Sequence, residues 1–213
     1  MNREDTYKHK GIRKQLVDLL KTKGIQNVDV LNAINAIPRH WFLDSSFLKI
    51  AYEDKAFPIG EGQTISHPFT VAFQTELLDI KKGDKVLEVG TGSGYQTAVL
   101  CLLGAKVYTI ERNKILFDKT KSFLTETGYP AKFFYGDGYK GIPAFAPFDK
   151  IVVTAGAPFI PEALLNQLTF GGKLVIPVGN NEQEMYRVIR LKDSFEQTQH
   201  GCFKFVPLLP EKS

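Results

Sequence analysis

One juncture constrains this chain more than any other: residues 86–95 read V-L-E-V-G-T-G-S-G-Y, an apolar run that breaks into three alternate glycines. A helical pattern begins at once behind it. A strand handed to a helix through so short a turn is half of a βαβ unit. The alternation continues from there. Strands are predicted at Lys85–Val89, Lys106–Glu111, Ala131–Tyr135, Lys150–Thr154 and Lys173–Val178. Helices are predicted at Tyr95–Leu103, Lys114–Thr127 and Pro161–Leu168, with a turn at Gly171-Gly172. Continuous apolar strands separated by helices belong to a parallel sheet covered on both faces. The expected fold is α/β, doubly wound and mostly parallel.

Upstream, Ile12, Leu16, Leu19 and Leu20 have helical spacing over residues 11–22, stopped by Gly24. A second helix is expected from Val28 to Ile37, ended by Pro38. Residues 39–68 read as irregular and aromatic, and Pro68 opens a helix to Leu78 with Ser66 or His67 as its cap. Downstream, Met185–Leu191 and Cys202–Leu208 read as an antiparallel strand pair at one end of the sheet, since no helix separates them. A length of 213 residues fits one domain, 1–213, with 1–68 as an N-terminal elaboration on the core at 69–213.

Other classes are disfavoured. Lys and Arg are interspersed and the net charge is only +4, so no nucleic-acid partner is expected. Cys101 and Cys202 stand alone, and His9, His40, His67 and His200 form no cluster and no H-E-x-x-H, so no metal is expected. No run approaches 18 apolar residues, which argues against a membrane span. The polar first residues lack the apolar segment of a signal peptide, and cytoplasm is the expectation.

The glycine turn itself points to a ligand. Glycines allow positive φ and leave no Cβ between a bound molecule and the main chain. Ligands of doubly wound sheets lie beyond the carboxyl ends of the strands, where this turn falls. Gly90, Gly92 and Gly94 give G-x-G-x-G, whereas a dinucleotide site needs its third glycine at position 95, which is Tyr95. No Gly-Lys-Ser/Thr follows to cradle phosphates. A ligand with an amino-acid end and an adenosine end, without phosphates, fits better. Glu111 ends the next strand, 21 positions after Gly90 (111 − 90), where a carboxylate can accept from ribose hydroxyls. Gly136-Asp137-Gly138 ends the strand after that, where Asp137 can accept from an adenine amino group. Each feature has a plainer reading: a tight turn, a surface Glu beside Arg112, an Asp-Gly turn. Their recurrence on three successive strand ends outweighs those readings.

These residues resemble the Rossmann-like class I S-adenosylmethionine-dependent methyltransferases. Over residues 10–209 the chain is similar to one family among them, the protein-L-isoaspartate (D-aspartate) O-methyltransferases. The most specific element is Gly60-Glu61-Gly62-Gln63-Thr64-Ile65-Ser66, joined by the glycine turn, Gly136–Gly138, Phe148–Pro158 and Phe205–Leu208. His67, where the family often has Gln, and Ala155-Gly156-Ala157-Pro158 depart from the common pattern.

The resemblance implies methyl transfer from S-adenosylmethionine to isoaspartyl residues of damaged proteins and peptides, leaving S-adenosylhomocysteine. It places Glu88, Gly90, Thr91, Gly92, Ser93, Gly94, Glu111, Arg112, Asp137 and Gly138 around the cofactor. Glu88 is expected near the methionine end. Ser66 matches the active-site serine, and Gln63, Thr64, Ile65, His67, Thr154 and Ala155 are candidates for the substrate side. Val206–Leu209 is expected to close over the cofactor. A monomer or weak oligomer is expected. Three other readings stay open: a methyltransferase of small molecules or RNA, a fold with a dead cofactor site, and an NAD-dependent oxidoreductase. The loop Thr154–Pro158 lacks the Asp/Asn-Pro-Pro-aromatic run of many base N-methyltransferases, and the glycine spacing disfavours NAD.

Overall fold

A computed structural model describes residues 4–213. Helix α1 (Tyr7–Thr22) starts earlier than the apolar spacing indicated, because Thr6 and His9 form a reciprocal cap. Helix α2 (Val28–Ala36) follows, capped by Asn27. Residues 39–68 are more ordered than expected. Two 3-10 turns, Arg39–Phe42 and Ser45–Ile50, lead into a hairpin of β1 (Phe57–Gly60) and β2 (Gln63–Ile65). Its turn places Glu61 at φ 54° and Gly62 at φ 66°. Two successive positive φ values match the twist of a tight hairpin. The strands are too short, and too rich in Pro and Gly, to announce themselves by alternation.

Helix α3 (Pro68–Leu78) runs to the main sheet, which consists of β3 (Lys85–Val89), β4 (Lys106–Glu111), β5 (Ala131–Tyr135), β6 (Phe148–Val153), β7 (Leu168–Val178), β8 (Gln183–Arg190) and β9 (Phe195–Phe203). Helices α4 (Tyr95–Leu102), α5 (Lys114–Glu126) and α6 (Glu162–Asn166) connect the parallel strands. The strand order is β5-β4-β3-β6-β7-β8-β9, parallel through β7 and antiparallel for the last two pairings. The order reverses between β3 and β6, the switch point at which such sheets open a crevice.

The core follows the pleat. Val86, Val107, Val152 and Val175 pack with Leu78 of α3 and Leu100 of α4 on one face. Leu87, Ile110, Ile151 and Leu174 pack with Leu164 of α6 on the other. A third cluster joins α1 and α2 to α4 and to the turns before the hairpin, through Leu20, Ile34, Phe42 and Tyr95.

Two expectations at the carboxyl end are corrected. Gly171-Gly172 is not a turn between elements; β7 begins at Leu168 and passes through both glycines, and α6 shortens accordingly. The last strand is Phe195–Phe203 rather than Cys202–Leu208. Its residues F-E-Q-T-Q-H-G-C-F are mostly exposed, as an edge strand allows, so polarity hid it. The apolar run behind it leaves the sheet and crosses the strand ends as a strap. The Gly156 amide donates to the Val206 carbonyl at 2.8 Å, and the Leu208 amide donates to the Gly156 carbonyl at 2.7 Å. Among the described residues, no helix is long and apolar enough to cross a membrane.

Candidate active site

A cleft opens at the carboxyl ends of β3, β4 and β6, floored by the glycine turn and walled by β2, the start of α3 and the strap. In the turn, Gly90, Gly92 and Gly94 have φ of 97°, 51° and 83°. Each has a different reason to be glycine. A Cβ on Gly90 would lie 2.5 Å from the Thr154 hydroxyl, which itself donates to the Gly90 carbonyl at 2.7 Å. A Cβ on Gly94 would meet Leu124 and Thr120 of α5 at 2.7 and 2.8 Å, so that glycine serves packing and does not line the cleft. At Gly92 the nearest protein atom would be Ile59 Cδ1 at 3.7 Å, which leaves bare main chain facing the cleft.

Glu111 is buried, and its carboxylate braces the turn. One oxygen accepts from the Gly92 amide and the other from the Asn113 amide, each at 2.9 Å. A carboxylate oxygen has two lone pairs, so both retain acceptor capacity toward the cleft that Glu111 lines. Thr91 lines the floor with its hydroxyl 2.7 Å from that of Thr109, and the Ser93 hydroxyl accepts from the Tyr95 amide at 3.3 Å.

Other sequence-predicted residues lie elsewhere. Glu88 is fully buried beneath the floor and does not line the cleft. It alternates away from Leu87 and Val89 toward α4, where the Thr97 hydroxyl donates to it at 2.5 Å. Burial pushes its carboxyl up to about 8. Asp137 also stays outside the lining; it accepts from the Tyr139 amide at 2.9 Å and so caps the short turn that places Gly138 on the cleft. Arg112 lines the cleft, but its Nε donates to the Glu211 carbonyl at 2.9 Å and holds the strap.

At the opposite end, Gln63, Thr64, Ile65 and Ser66 line the cleft together with Thr154 and Ala155. Ser66 does not cap α3. The capping position is His67, whose side chain makes no cap bond, and Asp54 takes the Phe69 amide at 2.8 Å instead. The Ser66 carbonyl accepts from Arg39 Nη2 at 2.8 Å, while its hydroxyl has no partner among the described residues. Arg39 is completely buried and also donates to the Ala51 and Lys55 carbonyls. The cleft's serine is thus pinned through its backbone and left free at its side chain. His67 is half-buried outside the lining, and burial lowers its pKa.

Several residues beyond the sequence-predicted candidates complete the site. Tyr95, Gln96 and Gln74 line the cleft, and Arg39 anchors it from behind. The one sequence signal of Gln74 and Gln96 was polarity within largely apolar helices, and Arg39, in a short 3-10 turn, gave none. The expected absence of a histidine cluster is also corrected: the His9 and His40 rings lie with centroids 4.0 Å apart, tilted by 30°, and with Asp5 they bring potential ligand atoms within 4.8 Å of one another. Asp5 is already held by both terminal nitrogens of Arg13 at 3.0 Å, and none of the three lines the cleft.

Known proteins resemble this chain over nearly its whole length. The sequence profile of the family described as protein-L-isoaspartate (D-aspartate) O-methyltransferase matches residues 11–213. A protein-L-isoaspartate O-methyltransferase of Christiangramia forsetii is 63% identical over 212 residues, covering 99% of this chain and 100% of that one. A crystal structure named as such an enzyme from Plasmodium falciparum, in complex with S-adenosyl-L-homocysteine, superposes with a TM-score of 0.81. It is 27% identical, covering 92% of this chain and 98% of that one. Another solved protein-L-isoaspartate O-methyltransferase superposes with a TM-score of 0.84 at 29% identity, over 92% of this chain and 65% of its own. A match across nearly the whole length, from profile, sequence and fold alike, has one consequence: the chain belongs to the protein-L-isoaspartate (D-aspartate) O-methyltransferase family.

Proposed function

We propose that this protein transfers a methyl group from S-adenosylmethionine to the side-chain carboxylate of L-isoaspartyl residues, and to D-aspartyl residues, in damaged proteins and peptides. The observation that carries the reading is the pairing, in one cleft, of bare main chain at Gly92 braced by Glu111 with a free serine hydroxyl at the other end. A bulky side chain at Gly92 would fill the space a nucleoside-bearing ligand needs. The spare acceptor capacity of Glu111 suits a ribose diol, and Gly138, which packs against Val89, lines the cleft with Leu208 on the side left for the base. The residues fit the cofactor.

When bound, S-adenosylmethionine supplies a sulfonium-activated methyl group. The acceptor needs no base from the protein, because a carboxyl with a reference pKa near 4 is ionised at neutral pH. What remains is to hold two reactants in line and exclude water, which can lower a barrier by about 7–11 kcal/mol in favourable cases. Ser66 donates its hydroxyl to one carboxylate oxygen, acting as a positioning donor rather than a nucleophile. Arg39 fixes the Ser66 main chain, and Gln63, Thr64 and Ile65 on β2 flank the peptide. The stretch up to residue 68 thereby supplies most of the substrate side, joined there by Thr154 and Ala155, and the rest of residues 69–213 the cofactor side. The same reading puts the protein in the cytoplasm, as a monomer or weak oligomer without nucleic acid; the scattered Lys and Arg, which gather into no basic stripe, support the last of these.

Matched peptides containing Asp or isoAsp, incubated with methyl-labelled cofactor, test the proposal. Label should enter the isoAsp peptide and not the Asp peptide. Labelling of neither, with the cofactor bound, would favour a small-molecule or RNA acceptor.

A further inference from the structure

Gln96 is the second residue of α4, two positions beyond Gly94, and it lines the cleft although only 6% of its surface is exposed. A relay of hydrogen bonds sets the direction of its carboxamide. The Thr75 hydroxyl donates its single hydrogen to the Val71 carbonyl at 2.7 Å. Toward Gln96 the Thr75 oxygen can then only accept, so the atom 2.9 Å away is the amide nitrogen Nε2. The carbonyl oxygen Oε1 is turned the other way, fully buried and without a hydrogen-bond partner. Gln74, its neighbour in the lining, likewise spends its amide nitrogen on the protein, donating to the Val153 carbonyl at 3.0 Å. Buried acceptors are rarely left without a donor, and this one belongs to a residue that lines a ligand cleft.

The donor that reaches it must lie deep, beside the start of α4. The nucleoside end of the cleft has Glu111 and Gly138, and a peptide enters past Ser66. The group left for Gln96 is the one at the amino-acid end of the cofactor. We propose that Gln96 Oε1 accepts from the α-ammonium of that end, which makes Gln96 the residue that selects an amino-bearing donor. The assignment rests on the cofactor reading given above.

Calorimetry with S-adenosylhomocysteine and its deamino analogue separates the two. Wild type should prefer the amino form by about tenfold or more, as expected when a buried acceptor loses its only donor. Gln96→Leu should reduce that preference to within about threefold, and Gln96→Met, which keeps the length, should do the same if Leu perturbs folding. Intact preference in both variants would overturn the proposal. So would a wild type that binds both ligands equally. A variant that raises KM for the isoAsp peptide while keeping the amine preference would also overturn it, assigning Oε1 to a peptide amide. Failure of wild type to bind either ligand would instead remove the cofactor reading itself.

Discussion

At Ser66 the backbone and the side chain have separate duties. The carbonyl is tied to Arg39, and α3 is capped by Asp54, so the hydroxyl contributes nothing visible to folding. Ser66→Ala should therefore leave melting temperature and S-adenosylhomocysteine affinity near wild type, within about twofold for affinity. It should cut isoAsp-peptide turnover about tenfold or more, the scale of one charge-assisted hydrogen bond. Steady-state kinetics beside calorimetry checks both halves. Glu88 gives a prediction of another kind. Folded, it keeps its proton up to about 8, against 4.5 for an ordinary glutamate. Between those values the folded protein binds more protons than the unfolded chain. Its contribution is thus complete below the ordinary value and is lost as pH rises through the raised one. The melting temperature of wild type should fall relative to Glu88→Gln as pH is raised from about 5 to about 8. A difference that stays flat with pH would mean that Glu88 is not protonated in the folded state. The sequence identified an acid in the right strand; only the pleat shows that it points under the floor, because a side chain's face depends on register with α4.

The decisive element is the turn between β3 and α4. Gly90→Ala forces an L side chain into φ 97° and drives its Cβ into the Thr154 hydroxyl that ties β6 to the turn. The substitution should cost more than about 1 kcal/mol in denaturant unfolding and weaken cofactor binding as the floor shifts. At this scale much was legible. The observed bounds of β3, β4 and β5 coincide with those predicted, since each is an uninterrupted run bounded by turn residues. The β1–β2 hairpin was not legible, because three- and four-residue strands are specified by their turn and by packing rather than by periodicity. Edge strand β9 escaped for the opposite reason, its polar residues satisfying solvent on an open edge.

On the scale of the whole molecule, both ends of the chain converge on the cleft. The amino-terminal layer supplies Arg39 and the hairpin, and the carboxyl-terminal strap supplies Val206–Leu209. The strap is latched at several points: the Tyr139 hydroxyl donates to the Leu208 carbonyl at 3.1 Å, and the Ser213 amide donates to the Arg112 carbonyl at 2.9 Å. Removing residues 206–213 should leave the circular dichroism of the sheet in place and lower S-adenosylhomocysteine affinity about tenfold, roughly what loss of one buried leucine wall implies. Unchanged affinity in calorimetry would show that the strap is not a cofactor wall.

The sequence by itself determined the α/β alternation, the glycine turn, the acid at the end of β4 and the family, because these are local: a short window holds the strand, the turn and the helix that make them. The tertiary structure alone decided which side chains meet. Arg39 reaches Ser66 across 27 residues, Thr75 orients Gln96 across 21, and the strap folds back onto Gly156, in the loop after β6, 50 positions earlier (206 − 156). Such contacts come from the packing of separate layers on one sheet, and no local pattern of residues encodes which atoms that packing leaves free.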